Sequence, residues 1–364
     1  MHSSIFSVAA WAACVAGSAI DLTKRDTPLQ VTLSPISDSN SRVKATVTNT
    51  AERGYNLFYK GSFLDSSSPV DKFVVSGSTQ RASFNGVLLR MATTGTLSAT
   101  NFVPIEAQQS IETKIDIAEL YDVETTDSYI VRATGAMPYA DLNSTTLTGD
   151  SVAFSSNILT LDIDGDVAKA TPYAIDTHTL TLDRRTDLDT TGCSQSNANA
   201  IAAALHNCAV LATAAAEAAT NGSSTKFREY FKTTSASARR TVSQRFLAVA
   251  ADCASSSGGV TTTSCSDTYG YCEEGVLAYT LPRYNHIAYC PIFYSYLEPV
   301  SEQCHDQDQA TTVLHEETHA EGVMSPGTED FAYGYSAQKQ LSAEEAVLNA
   351  DSYAMFANAV YVGC

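Results

Sequence analysis

Thr311-Thr312-Val313-Leu314-His315-Glu316-Glu317-Thr318-His319-Ala320-Glu321-Gly322 is the stretch from which the rest of the chain is read. On an α-helix His315 and His319 stand one turn apart and point the same way, so two imidazole nitrogens can reach one zinc ion at about 2.0–2.1 Å. Glu316 lies beside them, placed to take a proton from a water that the ion acidifies toward a pKa of about 7 rather than to bind the ion itself. With 7 histidines in 364 residues, a His-Glu-x-x-His run arises by chance roughly 0.006 times per chain of this composition. Accident is therefore a poor explanation.

A catalytic zinc needs a third protein ligand and an open fourth position. A third histidine six residues after the second is excluded, because that position holds Ser325. Glu344 and Glu345 stand at a suitable distance, but Ser342-Ala343-Glu344-Glu345 reads as a helix start, with Ser342 as N-cap and Glu345 closing a capping box. What remains is Ser325-Pro326-Gly327-Thr328-Glu329-Asp330-Phe331-Ala332-Tyr333-Gly334-Tyr335. Pro326-Gly327 ends the helix and turns the chain back, so Asp330, eleven residues after His319, returns to the metal on a short loop, with Tyr333 close behind it. Asp351 is the rival for third ligand. It lies one helical turn from Val347 on an otherwise apolar face, where a carboxylate needs a partner, and we expect it to hydrogen-bond a ligand histidine.

Working outward, 44% hydrophobic and 17% charged residues supply enough apolar material for two cores and exclude wholesale disorder. Lys+Arg number 22 against 40 Asp+Glu, a net charge of −18, which disfavours binding to phosphate backbones or anionic lipid and favours basic macromolecules. The six cations from Lys226 to Arg245, interleaved with Phe227, Tyr230 and Phe231, read as the solvated face of an amphipathic helix rather than a nucleic-acid surface.

The run Ile5 to Ala16, followed by Gly17-Ser18-Ala19, has the length of a signal-peptide core, and residues 1–19 are read as a signal peptide. No later window is read as apolar enough to span a membrane, so the product is expected to be secreted. Of nine cysteines, Cys14 leaves with the leader and the next is Cys193. Eight follow in all: Cys193, Cys208, Cys253, Cys265, Cys272, Cys290, Cys304 and Cys364. In a secreted segment they read as up to four disulfides, with about 105 pairings open. Arg184-Arg185, just before the first of them, suits a processing protease, as does Lys24-Arg25. A cut after Arg185 leaves 179 residues, a comfortable catalytic domain.

The two halves differ in pattern. Residues 26–185 carry strand-like runs (Leu29–Leu33, Val43–Thr48, Tyr55–Tyr59, Lys72–Val75 and Tyr129–Ala133) between polar turn clusters, which favours a β-sandwich. No chemical constellation stands out there; Asn143-Ser144-Thr145 reads as an N-glycan acceptor. The second half opens with an apolar helix over Asn197–Ala219, read as buried rather than membrane-spanning. It passes through short strands and loops between Gly258 and Tyr296, and returns to helix in the last sixty residues. His305, beside Asp306 and Asp308, reads as a polar approach to a helix rather than a metal cluster, and His206 and His286 as core or loop residues.

The pairing of His315-Glu316-Glu317-Thr318-His319 with Gly327-Thr328-Glu329-Asp330-Phe331-Ala332-Tyr333-Gly334 closely resembles the fungal deuterolysins, secreted neutral zinc endopeptidases of the aspzincin group. The layout is similar too: leader, long propeptide ending in a dibasic site, and a catalytic domain ending in cysteine. The resemblance implies that His315, His319 and Asp330 ligate one zinc per chain, that Glu316 is the general base, and that Tyr333 stabilises the oxyanion. It implies the pairs Cys193 with Cys265, Cys272 with Cys290 and Cys304 with Cys364, leaving Cys208 and Cys253 for an extra bridge. It departs at one point: relatives carry a tyrosine soon after the cysteine matching Cys290, where this chain has Pro291-Ile292-Phe293 before Tyr294.

The resulting expectation is a signal peptide (1–19), a β-sandwich propeptide (20–185) and a mainly α, α+β zincin-like metallopeptidase domain (186–364). The protein is expected to be a secreted, monomeric zinc endopeptidase made as a zymogen. Its substrates are proteins, basic ones by preference, and its own propeptide acts as inhibitor or folding aid; nucleic acid and membrane are not expected partners. The alternative is a catalytically inactive secreted zinc-binding or adhesion protein on a zincin-like scaffold, against which the retention of Glu316 argues.

Overall fold

A computed structural model describes residues 27–175, 187–189, 192–255 and 259–364. The expected leader and both dibasic pairs lie outside the described residues.

The first half is built of strands: β1 (Leu29–Pro35), β2 (Arg42–Asn49), β3 (Tyr55–Phe58), β4 (Val74–Ser76), β5 (Leu88–Met91), β6 (Thr94–Thr96), β7 (Phe102–Ile105), β8 (Ser110–Asp116), β9 (Asp127–Arg132), β10 (Thr134–Ala140), β11 (Thr146–Thr148), β12 (Ser151–Ser156) and β13 (Leu159–Ile163), with a short helix α1 (Gly165–Lys169). Seven form one sheet in the order β7-β3-β10-β12-β1-β2-β8, and three form another, β13-β9-β4. Alternation explains the packing. Leu29, Val31 and Leu33 of β1 and Val43, Ala45 and Val47 of β2 all point inward, paired in register as Val31 with Val47 and Leu33 with Ala45, as period-two side chains must. Val75, Val131, Leu161 and Ile163 from the smaller sheet enter the same core.

The second half is mixed. Strands β14 (Asp187–Asp189), β15 (Thr262–Ser264), β16 (Val276–Leu281) and β17 (His286–Tyr289) accompany helices α2 (Gln195–Asn221), α3 (Ser224–Phe231), α4 (Ala236–Cys253), α5 (Pro291–Tyr296), α6 (Gln309–His319), α7 (Gly334–Gln338), α8 (Ala343–Leu348) and α9 (Ala350–Val362). By length and composition α2 is apolar enough to cross a membrane, so the expectation that no window beyond the leader qualifies does not hold. Its packing is that of a core helix: Ile201, Ala204, Cys208, Leu211, Ala215 and Ala219 are buried in the cluster shared with α4, α6 and α9.

Three readings need correction. Lys226–Arg245 is not one helix: α3 ends at Phe231, where Lys232 caps it with a φ of +57°, and α4 restarts at the Ser235 cap. Arg245 is not on the solvated face either. It is 1% exposed and donates to the carbonyls of Thr318, Met324 and Pro326 at 3.1, 3.1 and 2.7 Å, satisfying backbone acceptors left at and after the C-terminus of α6. His206, expected in core or loop, lies on the exposed side of α2.

The two halves meet in a sheet. Its order is β14-β15-β17-β16-β5, with β14, β15 and β17 parallel and β5, a strand of the first half, antiparallel on β16. Leu89 and Met91 of β5 are buried with Val276, Tyr279, Leu281 and Ala288 of β16 and β17, and the two β5 side chains contribute about 1.5–3 kcal/mol each through apolar burial.

Four disulfides join Cys193 to Cys265, Cys208 to Cys253, Cys272 to Cys290 and Cys304 to Cys364. These are the three pairs implied by the resemblance and the extra bridge.

Candidate active site

Helix α6 carries the first part of the site and is buried along its whole length. It starts at a capping box in which the Asp308 carboxylate accepts from the Thr311 amide at 2.6 Å and the Thr311 hydroxyl lies 3.2 Å from the Asp308 amide, satisfying donors that a helix start leaves unpaired. Asp308 is thereby committed to the helix. Its neighbour His305 hydrogen-bonds the Tyr230 hydroxyl at 2.6 Å and stacks on Tyr335. Both side chains are thus taken up by protein partners.

After His319 the chain turns, and Asp330 returns to the helix. The carboxylate oxygen Oδ1 of Asp330 lies 3.1 Å from His315 Nε2 and 3.4 Å from His319 Nε2, and these three residues are the one group of metal-ligating side chains so placed among the described residues. The opposite ring nitrogens are occupied. His315 Nδ1 faces the Asp351 carboxylate at 3.0 Å, and His319 Nδ1 faces the Thr328 carbonyl at 2.9 Å. The Thr328 carbonyl can only accept, so His319 Nδ1 donates and its Nε2 keeps its lone pair, while His315 Nδ1 is shared between the Asp351 carboxylate and the Arg90 guanidinium that pairs with it. His315 Nε2, His319 Nε2 and both Asp330 oxygens are buried without a hydrogen-bond partner. Two imidazoles and a carboxylate converging with unsatisfied atoms fit a divalent cation of zinc's ligand preference.

Charge shifts follow the same geometry. Burial alone pushes the Asp330 carboxyl up, but His319 and His315 outweigh it and hold the group well below the usual carboxylate range. Burial lowers His315, reinforced by Arg90, whereas Asp330 raises His319 against its burial. Glu316 is pushed up to about 7, chiefly by burial. Its Oε2 accepts from the Thr280 hydroxyl of β16 at 2.6 Å, and its Oε1 is unpartnered.

Tyr333 is buried, with its phenol pushed well above the ordinary value by burial and by Asp330, and its hydroxyl donates to the Leu89 carbonyl at 2.6 Å. Asp351 meets His315 at the ring nitrogen that faces away from Asp330. The reading that places it one helical turn from Val347 is corrected, since α8 ends at Leu348 and Asp351 sits in the first turn of α9. That break also lets the Gly334 amide donate to Asp351. Glu345 closes the Ser342 capping box and Glu344 lies outside the cluster. Tyr294 donates to the Cys265 carbonyl at 3.1 Å.

Sequence reasoning missed two groups. Thr280 comes from an apolar strand and offers no motif. Arg90 comes from the half in which no chemistry was expected, yet it is fully buried, pairs with the Asp351 carboxylate and lies 2.9 Å from His315 Nδ1. A lone arginine within Leu-Leu-Arg-Met gives no signal of where the strand will dock.

The sequence profile described as the "Deuterolysin metalloprotease (M35) family" matches residues 1–364. A "Neutral protease 2 homolog" of Phaeosphaeria nodorum is 44% identical over 364 residues, covering 100% of this chain and 99% of its own length. The "Penicillolysin" of Penicillium citrinum is 46% identical and the "Neutral protease 2" of Aspergillus oryzae 42%, each over 336 residues and 92% of both chains.

Proposed function

The chain belongs to the deuterolysin metalloprotease family, and from that premise we propose a secreted zinc endopeptidase, made as a zymogen, that prefers basic protein substrates. It is a metalloendopeptidase, and its family implies a metal. The observation that carries the finer reading is the convergence of three unpartnered buried ligand atoms beside the half-tied Glu316 carboxylate. His315, His319 and Asp330 hold the zinc, one per chain. When bound, the ion polarises a water and the scissile carbonyl as a Lewis acid. Thr280 fixes one oxygen of Glu316 so that the other takes the proton of the attacking water and returns it to the leaving amine, a transfer favoured by a pKa close to neutrality. The Tyr333 hydroxyl donates to the developing oxyanion, a contact worth about 2.7–4 kcal/mol in comparable sites. Asp351 and the Thr328 carbonyl hold the two imidazoles in the ligating tautomer.

Residues 20–185, a β-sandwich, form the propeptide, and Arg184-Arg185 is its processing site. The mature segment, residues 186–364, is a zincin-like domain. It keeps 8 basic and 20 acidic residues, a field that attracts cationic substrates. Four disulfides support an extracellular life.

The test is hydrolysis of an unfolded basic polypeptide by the secreted protein, before and after a chelator and again after zinc is restored, with Glu316→Gln alongside. Activity is expected to vanish and return with zinc, and Glu316→Gln to bind one equivalent of zinc while losing about 10²–10⁴-fold in turnover. A processed, zinc-loaded protein without activity would overturn the reading in favour of an inactive scaffold.

A further inference from the structure

Strand β5 lies where an extended peptide would have to lie to meet the site. It is the edge strand of the sheet, antiparallel to β16, with Leu89 opposite Tyr279 and Leu88 opposite Thr280. Thr280 is the residue that holds Glu316, so the pairing fixes β5 directly beside the carboxylate. Adding a strand to a sheet edge is a general way to bind a peptide through its main chain while its side chains enter subsites.

Two contacts make the pose that of a substrate. The Leu89 carbonyl accepts from the Tyr333 hydroxyl, the donor assigned above to the scissile oxygen. The next side chain, Arg90, is fully buried and reaches the Asp351 carboxylate. Leu88 lies on the same face of the strand as Arg90 and lines a cavity with His319, Pro282 and Glu329, so β5 spans the site from one ligand histidine to the other. Arg90 is only partly satisfied there, because its Nε and Nη2 atoms have no hydrogen-bond partner. Burying a guanidinium with two of its nitrogens unpaired costs free energy, which suits an occupant that has to leave.

We propose that Leu88–Met91 is an inhibitory strand that occupies the peptide groove as a substrate mimic, with the Leu89 carbonyl at the oxyanion position and Arg90 filling the subsite floored by Asp351. The proposal rests on the peptidase reading above. Latency is then competitive, and the strand's natural rival is an extended peptide carrying an arginine after the carbonyl to be attacked.

The full chain is kept intact by Arg184→Ala/Arg185→Ala, loaded with zinc and assayed on a fluorogenic peptide, together with Arg90→Ala and Arg90→Lys versions. Arg90→Ala is expected to be at least about tenfold more active than the intact parent, and Arg90→Lys to stay latent, because only the first removes the buried charge pair. Amide hydrogen exchange of residues 88–91 is expected to rise in Arg90→Ala, and a synthetic peptide of the sequence Gly86–Thr93 to return that variant competitively to latency. An Arg90→Ala chain with the parent's circular dichroism but the parent's latency, or inhibition by the peptide that is not competitive, overturns the proposal. If Arg90→Ala does not fold, exchange in the intact parent under saturating Gly86–Thr93 peptide decides: loss of protection at 88–91 supports the proposal and unchanged protection overturns it. Absence of activity even after an added protease has cut at Arg185 in the wild-type chain counts against the peptidase reading alone, since the exchange measurement still reads the strand.

Discussion

Glu316 and Glu317 are neighbours in sequence and opposites in environment. About 100° of helical rotation separates them. Glu316 turns toward Thr280 and the ligand cluster. Glu317 turns toward Asp252 and Thr261, and burial and the Asp252 carboxylate push it well above the ordinary glutamate value. Asp252 accepts from the Val260 amide and the Thr261 hydroxyl, at 2.6 and 2.5 Å, and Glu317, with its pKa raised, carries a proton. The pH dependence follows from that proton. The folded chain retains it above pH 4.5, where the unfolded chain has released it, so stability falls as pH rises from about 4.5 toward the folded pKa. Glu317→Gln mimics the protonated form and is expected to melt on the order of a few °C higher than the parent at pH 7–8, with the difference vanishing near pH 4. A Gln variant melting lower at pH 8 would contradict the assignment. Nothing in the run His-Glu-Glu-Thr-His distinguishes the two glutamates except the metal geometry, which selects the one following His315; the role of Glu317 became visible only through Asp252 of α4 and Thr261, the residue before β15.

At the scale of elements, the helices of the second half are held by one another and by disulfides. Helix α2 makes its most extensive packing with α4, and the Cys208–Cys253 bridge spans that interface between two buried side chains, closing a separation of 45 residues. Replacing both cysteines by alanine is expected to cost about 2–4 kcal/mol in unfolding experiments, chiefly by freeing the unfolded chain. A double variant as stable as the parent would mean that the α2–α4 packing alone suffices. The alternation of β1, β2 and β9 and the Ser342 cap of α8 were legible in sequence because they follow local rules. The break between α8 and α9 was not: Asn349 is no helix breaker, and its amide oxygen is drawn off to the Ala332 amide at 3.0 Å, a partner from the loop after Asp330.

At the scale of the whole molecule, charge and topology govern. The Debye length contracts from about 10 Å at 0.1 M salt to about 3 Å at 1 M. Under the proposed preference for basic substrates, raising salt should therefore raise KM for a basic polypeptide several-fold while leaving a neutral peptide of similar length nearly unaffected. Equal salt sensitivity for both would count against an acidic-field origin. The division into two halves with different patterns was visible in composition and in the placement of the cysteines. Their union through β5 was not, because Leu-Leu-Arg-Met satisfies the strand rules equally well in either sheet.

Everything carried by spacing along one element was legible in the chain. Two histidines four residues apart share a helix face, Asp330 can reach them across a short loop, Ser342 caps a helix, and eight cysteines in one half form bridges. Docking of the elements added the distant groups: His315 rather than His319 as the histidine that Asp351 meets, Thr280 on Glu316, and Arg90, 225 residues from the histidine it touches. The physical reason is that a contact within one turn or one loop imposes a period on the sequence, whereas a contact between elements depends on how whole faces dock, and a single arginine or threonine bears no mark of the partner it will meet.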